Sequence, residues 1–107
     1  LVAKAPDDEV IASVMLSLVA DDAIQIRGVQ CSLAYGRIDE HTIKVSARSD
    51  GSINCGILME KLGGGGHFAM AAATFTDQTM DEVKKKIYKV LGDYLEDARS
   101  NTIKGDD

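Results

Sequence analysis

An α+β fold, one small domain with a mixed sheet of about three or more strands backed by helices in the order α-β-β-α-β-α, is predicted by three features of this 107-residue chain. Apolar residues recur at helical spacing near both ends. Between them, two segments alternate with the two-residue period of strands. A short middle helix then runs into four consecutive glycines. A chain of this length fills one hydrophobic core but not two, so residues 1–107 read as a single domain, with 1–6 and 100–107 as fraying ends.

The first helix is expected to start at Pro6-Asp7-Asp8-Glu9, where carboxylates complement the positive end of the helix dipole. Val10, Ile11, Val14, Met15 and Leu18 follow at helical spacing and predict its buried face. From Val29 the period changes. Val29, Cys31, Leu33 and Tyr35 alternate with Gln30, Ser32 and Ala34, which predicts a half-buried strand. Gly36 to Thr42 reads as a connection, and Ile43, Val45 and Ala47 alternating with Lys44, Ser46 and Arg48 predict a second strand, paired with the first as a hairpin. Ser49 to Ser52 is a turn. Asn54 then caps a short helix carrying Ile57, Leu58 and Leu62. Ala69 to Phe75 predicts a turn leading into a short strand. Thr79-Met80-Asp81-Glu82 is a capping box that opens the last helix. Its apolar stripe is Met80, Val83, Ile87, Val90, Leu91 and Tyr94, with Asp81 to Lys85 and Glu82 to Lys86 as i,i+4 pairs.

Twelve basic against 17 acidic residues give a formal charge of −5, which argues against a long-range surface for duplex nucleic acid. A local anion site is still allowed, because charges beyond about 8 Å are screened at physiological salt. Cys31 and Cys55 show no Cys-x-x-Cys spacing, so neither a disulfide framework nor a zinc site is indicated and a reducing compartment is expected. The apolar run Val10 to Ala20 is too short to span a bilayer, and the chain reads as soluble. Its start at Leu1 reads as a piece of something longer.

Gly63-Gly64-Gly65-Gly66-His67 is the segment that calls for a functional reason. One glycine suffices to close a helix in the left-handed conformation. Three more leave backbone amides bare and suited to wrapping an anion, or permit another backbone to approach closely. A Walker loop would need Lys and Ser or Thr after the last glycine, where His67 and Phe68 stand. The dinucleotide fingerprint would need a third small residue in place of Phe68, and a preceding strand rather than a helix. His67 suits a phosphate contact, base stacking or a structural bond to the sheet. Arg48, ending a strand just before the glycine-bearing helix, suits a guanidinium fork on phosphate, or a plain surface arginine. Ser46, Ser49 and Asn54 offer neutral hydrogen bonds or serve as turn and cap residues. His41 and the lysines 84, 85, 86 and 89 read as solvated surface. Phosphodiester hydrolysis uses metals held by Asp and His, or an acid and base beside an activated nucleophile. No such cluster is visible, so the chain reads as a substrate-holding half with no catalytic or metal-binding residues of its own.

The stretch Val45-Ser46-Ala47-Arg48-Ser49, then Ile53-Asn54, then Met59-Glu60-Lys61-Leu62 and the glycine-histidine run with Ala71-Ala72 beyond, resembles the DHH-associated domain of the DHH phosphoesterase superfamily. The likeness is greatest to GdpP-type cyclic di-AMP phosphodiesterases. Ala71-Ala72-Ala73 departs from the Ala-Ala-Gly often seen in RecJ-like members. The resemblance implies that an upstream DHH domain in the same chain holds manganese and the attacking water. This domain, with no cofactor of its own, would bind cyclic di-AMP or a linear dinucleotide through Gly63, Gly64, Gly65, Gly66, His67, Arg48, Ser49 and Asn54. It further implies a fragment inactive alone. The parent protein would be membrane-anchored, with this domain facing the cytoplasm and not touching the membrane. A homodimer is compatible with it. Two other readings stay open: a single-stranded nucleic-acid or short-oligonucleotide binder of the RecJ or oligoribonuclease type, and an interaction or dimerisation module whose glycines only let backbones pack.

Overall fold

The computed structural model describes the backbone of residues 1–105 and the side chains of residues 1–99. The order is β1 (Val2–Lys4), α1 (Ser13–Ile24), β2 (Cys31–Arg37), β3 (Thr42–Ser49), α2 (Cys55–Lys61), β4 (Gly65–Gly66), β5 (Met70–Thr76) and α3 (Met80–Gly105). The class is α+β as expected, with a five-stranded mixed sheet ordered β1-β2-β3-β5-β4. Two strands were not foreseen. β1 lies in the stretch expected to fray and pairs in parallel with β2, Val2 opposite Leu33, with α1 as the crossover. β4 is made of two of the four glycines. α3 runs through Gly105, inside the other stretch expected to fray, and residues 106 and 107 lie outside the described residues.

β2 and β3 form the expected hairpin, Cys31 opposite Ser49 through Arg37 opposite Ile43. β2 is not half-buried, because helices cover both of its faces and Cys31 to Gly36 are all buried. On one face Leu33, Tyr35, Ile43, Val45, Ala47, Ala73 and Phe75 pack with Leu58 and Met59 of α2 and with Met80, Val83 and Ile87 of α3. On the other, Ala34 packs with Leu16 and Ala20 of α1. The last helix follows its sequence signals. The Thr79 amide donates to Glu82 and the Glu82 amide to Thr79 Oγ1, a closed capping box. Asp81 pairs with Lys85 at 3.0 Å, whereas Lys86 turns to Gln78 at 2.6 Å because Glu82 is occupied by the cap.

The start and the face of α1 both differ from expectation. Pro6 to Glu9 is a turn after β1, with Lys4 bonded to Asp7, and the helix begins at Ser13 after Ala12. Its buried residues are Leu16, Ala20 and Ala23, while Val10, Val14, Met15 and Leu18 stay 45% to 63% exposed. Ala20 and Ala23 let the helix lie close on the sheet beside Leu16, while Val14, Met15 and Leu18 point outward.

Candidate functional site

α1 is joined to β3 by a polar seam. β3 sends Ile43, Val45 and Ala47 into the main core and turns Lys44, Ser46 and Arg48 toward α1. Four residues of helix rise about 6 Å and two of strand about 6.7 Å, so positions spaced by four on α1 match alternate positions on β3. Lys44 Nζ donates to Ser13 Oγ at 2.6 Å, Ser17 and Ser46 hydroxyls meet at 3.4 Å, and Arg48 Nε donates to Asp21 Oδ1 at 2.6 Å. Arg48 Nη1 also donates to the Ala47 carbonyl at 2.9 Å, leaving Nη2 without a protein partner among the described residues. The Arg48 side chain is only 12% exposed, so its direction is fixed by these bonds.

Beyond this seam the sheet continues with no helix over the face that carries α1, while α2 covers the opposite face. β5 follows β3 in register, Arg48 opposite Met70, Ser46 opposite Ala72 and Lys44 opposite Thr74. β4 then pairs Gly65 with Ala72 and Gly66 with Ala71. The His67 amide donates to the Met70 carbonyl at 2.7 Å, extending the pairing one step. Arg48, Met70 and His67 therefore line up across three neighbouring segments at one end of the sheet. His67 and Met70 are exposed.

The four glycines have separate reasons. Gly63 closes α2 at φ +87°, donating to the Glu60 carbonyl while Gly64 donates to Met59, the paired bonds of a Schellman motif. Two of the four amides are thus committed to the helix, and the expected cradle of four bare amides is not formed. A Cβ on Gly64 would stand 2.6 Å from Ala73 Cα. On Gly66, at φ +147°, it would stand 2.5 Å from Ala71 Cα. Both glycines permit the backbone of β4 to lie against β5. Gly65 alone has an unremarkable φ and no heavy atom within 4 Å of where its Cβ would stand.

Ser49 and Asn54 have structural partners. Ser49 Oγ accepts from the amides of Gly51 at 3.0 Å and Ile53 at 3.3 Å, holding the turn. Asn54 Oδ1 caps α2 through the Ile57 amide at 3.2 Å, and its own amide donates to Tyr94 Oη at 3.0 Å. His41, expected on the surface, is exposed beside Asp77. Reading the sequence missed Asp21, Met70 and Lys44. Lys44 carried a signal, since it alternates in step with Ser46 and Arg48. Asp21 carried none, because its pairing depends on how α1 lies across β3.

Other features lie apart from this end of the sheet. A cleft of about 430 Å³ opens on the opposite face, lined by Leu62, Phe75, Val90 and three lysines. Each of those lysines already has a partner: Lys61 with Asp97, Lys86 with Gln78 and Lys89 with Asp93. Cys31 and Cys55, both buried, face each other in the core. The Cys55 thiol's hydrogen bond holds the Cys31 pKa below its usual value, and that bond together with burial pushes Cys55 up. Among the described residues no three His, Cys, Asp or Glu side chains gather to hold a metal, and no helix is long and apolar enough to cross a membrane.

Comparison with known proteins matches residues 1–97 to the DHHA1 domain. The chain is 36% identical over 95 residues to the cyclic-di-AMP phosphodiesterase GdpP of Geobacillus thermodenitrificans, covering 89% of this chain and 14% of that protein. It is 37% identical over 93 residues to the cyclic-di-AMP phosphodiesterase PdeA of Listeria monocytogenes, covering 87% and 14%. It thus spans about a seventh of the length of these relatives. Among solved structures, a pGpG-specific phosphodiesterase, PggH from Vibrio cholerae, superposes with a TM-score of 0.54 at 20% identity over 86% of this chain and 33% of that one, a likeness of fold.

Proposed function

The chain belongs to the DHHA1 domain family, and on that premise we propose that it is the nucleotide-holding domain of a cyclic di-AMP phosphodiesterase. The observation that carries the reading is the line of Arg48, Met70 and His67 beside Gly65, the one glycine of the run that neither packing within the domain nor a positive φ requires. Arg48, held by Asp21 and the Ala47 carbonyl, turns its remaining guanidinium donors to a phosphate. His67 supplies a ring nitrogen to the phosphate or its face to a base. The missing Cβ of Gly65 lets the ligand lie against the sheet. In this reading the glycine run contributes a bare floor rather than a nest of amides. Ser49 and Asn54 act by fixing the turn and helix that carry the loop.

The relatives named for cyclic di-AMP hydrolysis support the substrate class. The described side chains include no metal-holding trio. The role proposed for these side chains is to bind and orient, and manganese with the attacking water is assigned, on the family resemblance, to a DHH domain elsewhere in the parent protein, on the cytoplasmic side. Competition binding with cyclic di-AMP, a linear di-adenylate and a longer single-stranded oligonucleotide tests the reading. Cyclic di-AMP or the dinucleotide should bind more tightly than the oligomer, and His67→Ala should weaken that binding without changing Tm. Preference for the oligomer with a steep salt slope would overturn it in favour of nucleic-acid binding. Failure of all three to bind would leave the glycines as packing devices only.

A further inference from the structure

The same face of the sheet carries a second cation, at the opposite end from Arg48. Lys44 and Arg48 lie four residues apart on β3, so their Cα atoms are about 13 Å apart, with Ser46 between them. Lys44 is partly buried, and among the described residues its side-chain bond is to the neutral Ser13 hydroxyl alone. Among the described residues no carboxylate pairs with it, in contrast to Lys4, Lys61, Lys85 and Lys89. A partly buried cation without a counter-ion favours an anion from outside. Directly across from Lys44 on the open part of the sheet stands Thr74, an exposed hydroxyl.

Between the two cations runs a trough. Its floor is Ala72 and Gly65, both without bulk above the sheet. Its wall is the flank of α1. Leu16, Ala20 and Ala23 face β2, and Ser13 and Ser17 face β3. At 100° per residue the next positions around the helix in that direction are Asp21, which holds Arg48, and then Val14 and Leu18, which lie on the flank turned to the β5 side. They are 61% and 49% exposed. The trough thus has a flat floor, a wall of Val14 and Leu18 with Asp21 at its foot, and a cation at each end, Arg48 paired with Asp21 and Lys44 without a carboxylate partner among the described residues.

We propose that Lys44, with Thr74, is a second phosphate contact, so that the trough takes a nucleotide ligand with two phosphates, its base lying against Val14 and Leu18. This rests on the nucleotide-holding role and adds that binding depends on phosphate number. Lys44 donates one of its remaining ammonium protons to the second phosphate while keeping the Ser13 bond, and Thr74 adds a hydroxyl donor.

The test is equilibrium titration of the full-length protein with a linear di-adenylate bearing a 5′-phosphate and with adenosine monophosphate, across a range of salt. Lys44→Gln should weaken the two-phosphate ligand about tenfold and leave the mononucleotide nearly unchanged, as expected for loss of one charge-assisted hydrogen bond. It should also lessen the salt dependence of dinucleotide binding, because one screened ionic contact is lost. Thr74→Val, at an exposed position, should weaken the dinucleotide selectively and by less. Equal losses for both ligands, or no loss for the dinucleotide, would overturn the second contact and leave the nucleotide-holding role standing. A wild-type protein that binds neither ligand would overturn both.

Discussion

Alanine placed in turn at the four glycines should separate folding from binding. At Gly66 the new Cβ would stand 2.5 Å from Ala71 Cα and 2.6 Å from the Met70 carbonyl oxygen, at φ +147°. Overpacking of this kind costs about 1–3 kcal/mol, and an unfavourable positive φ adds about 1–2 kcal/mol. With a shift of about 4–8 °C per kcal/mol in a domain of this size, Gly66→Ala should lower Tm on the order of 10 °C or more. Gly64→Ala meets the backbone of Ala72 and Ala73 and should behave alike. Gly63→Ala meets no atom but sits at φ +87°, so only the strain of about 1–2 kcal/mol applies. Gly65→Ala is different in sign. Its φ is compatible with alanine and the space is open, so the reduced entropy of the unfolded chain should stabilise the domain by about 0.4–1 kcal/mol. The same methyl would stand between the sheet and a ligand, costing on the order of tenfold in dinucleotide affinity. Thermal denaturation and calorimetric titration of the same four variants read both quantities. A stable Gly65→Ala that binds dinucleotide as tightly as wild type would refute a ligand-facing Gly65. A Gly65→Ala as unstable as Gly66→Ala would refute the assignment of the four glycines to separate tasks.

Two further outcomes follow from the same contacts. Asn54→Ala removes the cap on the Ile57 amide and should cost about 1 kcal/mol in urea denaturation, with a smaller effect from Asn54→Asp, which retains an acceptor. Burial raises the Tyr35 phenol above its ordinary 10.0, so the folded state holds that proton longer than the unfolded one. This stabilising contribution is intact below pH 10 and is lost as the pH rises from there through the folded value. The urea midpoint should fall across that window, and Tyr35→Phe should remove part of the slope.

The elements legible in the sequence were those whose signals are local. The α3 capping box, the Asn54 cap, the glycine that closes α2 and the alternation of β3 all involve residues within a turn or two of one another. β1 was hidden because its three residues acquire meaning only through β2, about thirty positions later, and a parallel partner leaves no hairpin signal. β4 was hidden because glycine has no strand propensity, and its pairing comes from close approach to β5. For the candidate site, Arg48 and His67 were visible as residue types at a suggestive spacing. Their alignment through Met70 was not, since it depends on the register of three segments. Four free amides were over-read from composition, because the Schellman motif that uses two of them follows from where α2 stops.

The face of α1 is the most instructive difference. Apolar periodicity predicts that Val14 and Leu18 are inside, because in an isolated helix the largest side chains mark the face with most to gain from burial. The sheet beneath this helix reverses that choice. Ala34 on β2 and Ser46 on β3 leave room for a close approach, which suits Leu16, Ala20 and the hydroxyl of Ser17. Larger side chains at positions 17 and 20 would lift the helix and break the seam of Lys44, Ser46 and Arg48. Once the seam is made, rotation of the helix is fixed and Val14 and Leu18 are left exposed on the flank turned to the β5 side. Apolar side chains beside a row of small residues, with Lys44 at one end and Arg48 at the other, form a surface suited to a flat base and charged phosphates. The departure from the helical pattern and the shape of the proposed nucleotide trough therefore have one cause, the polar seam between α1 and β3.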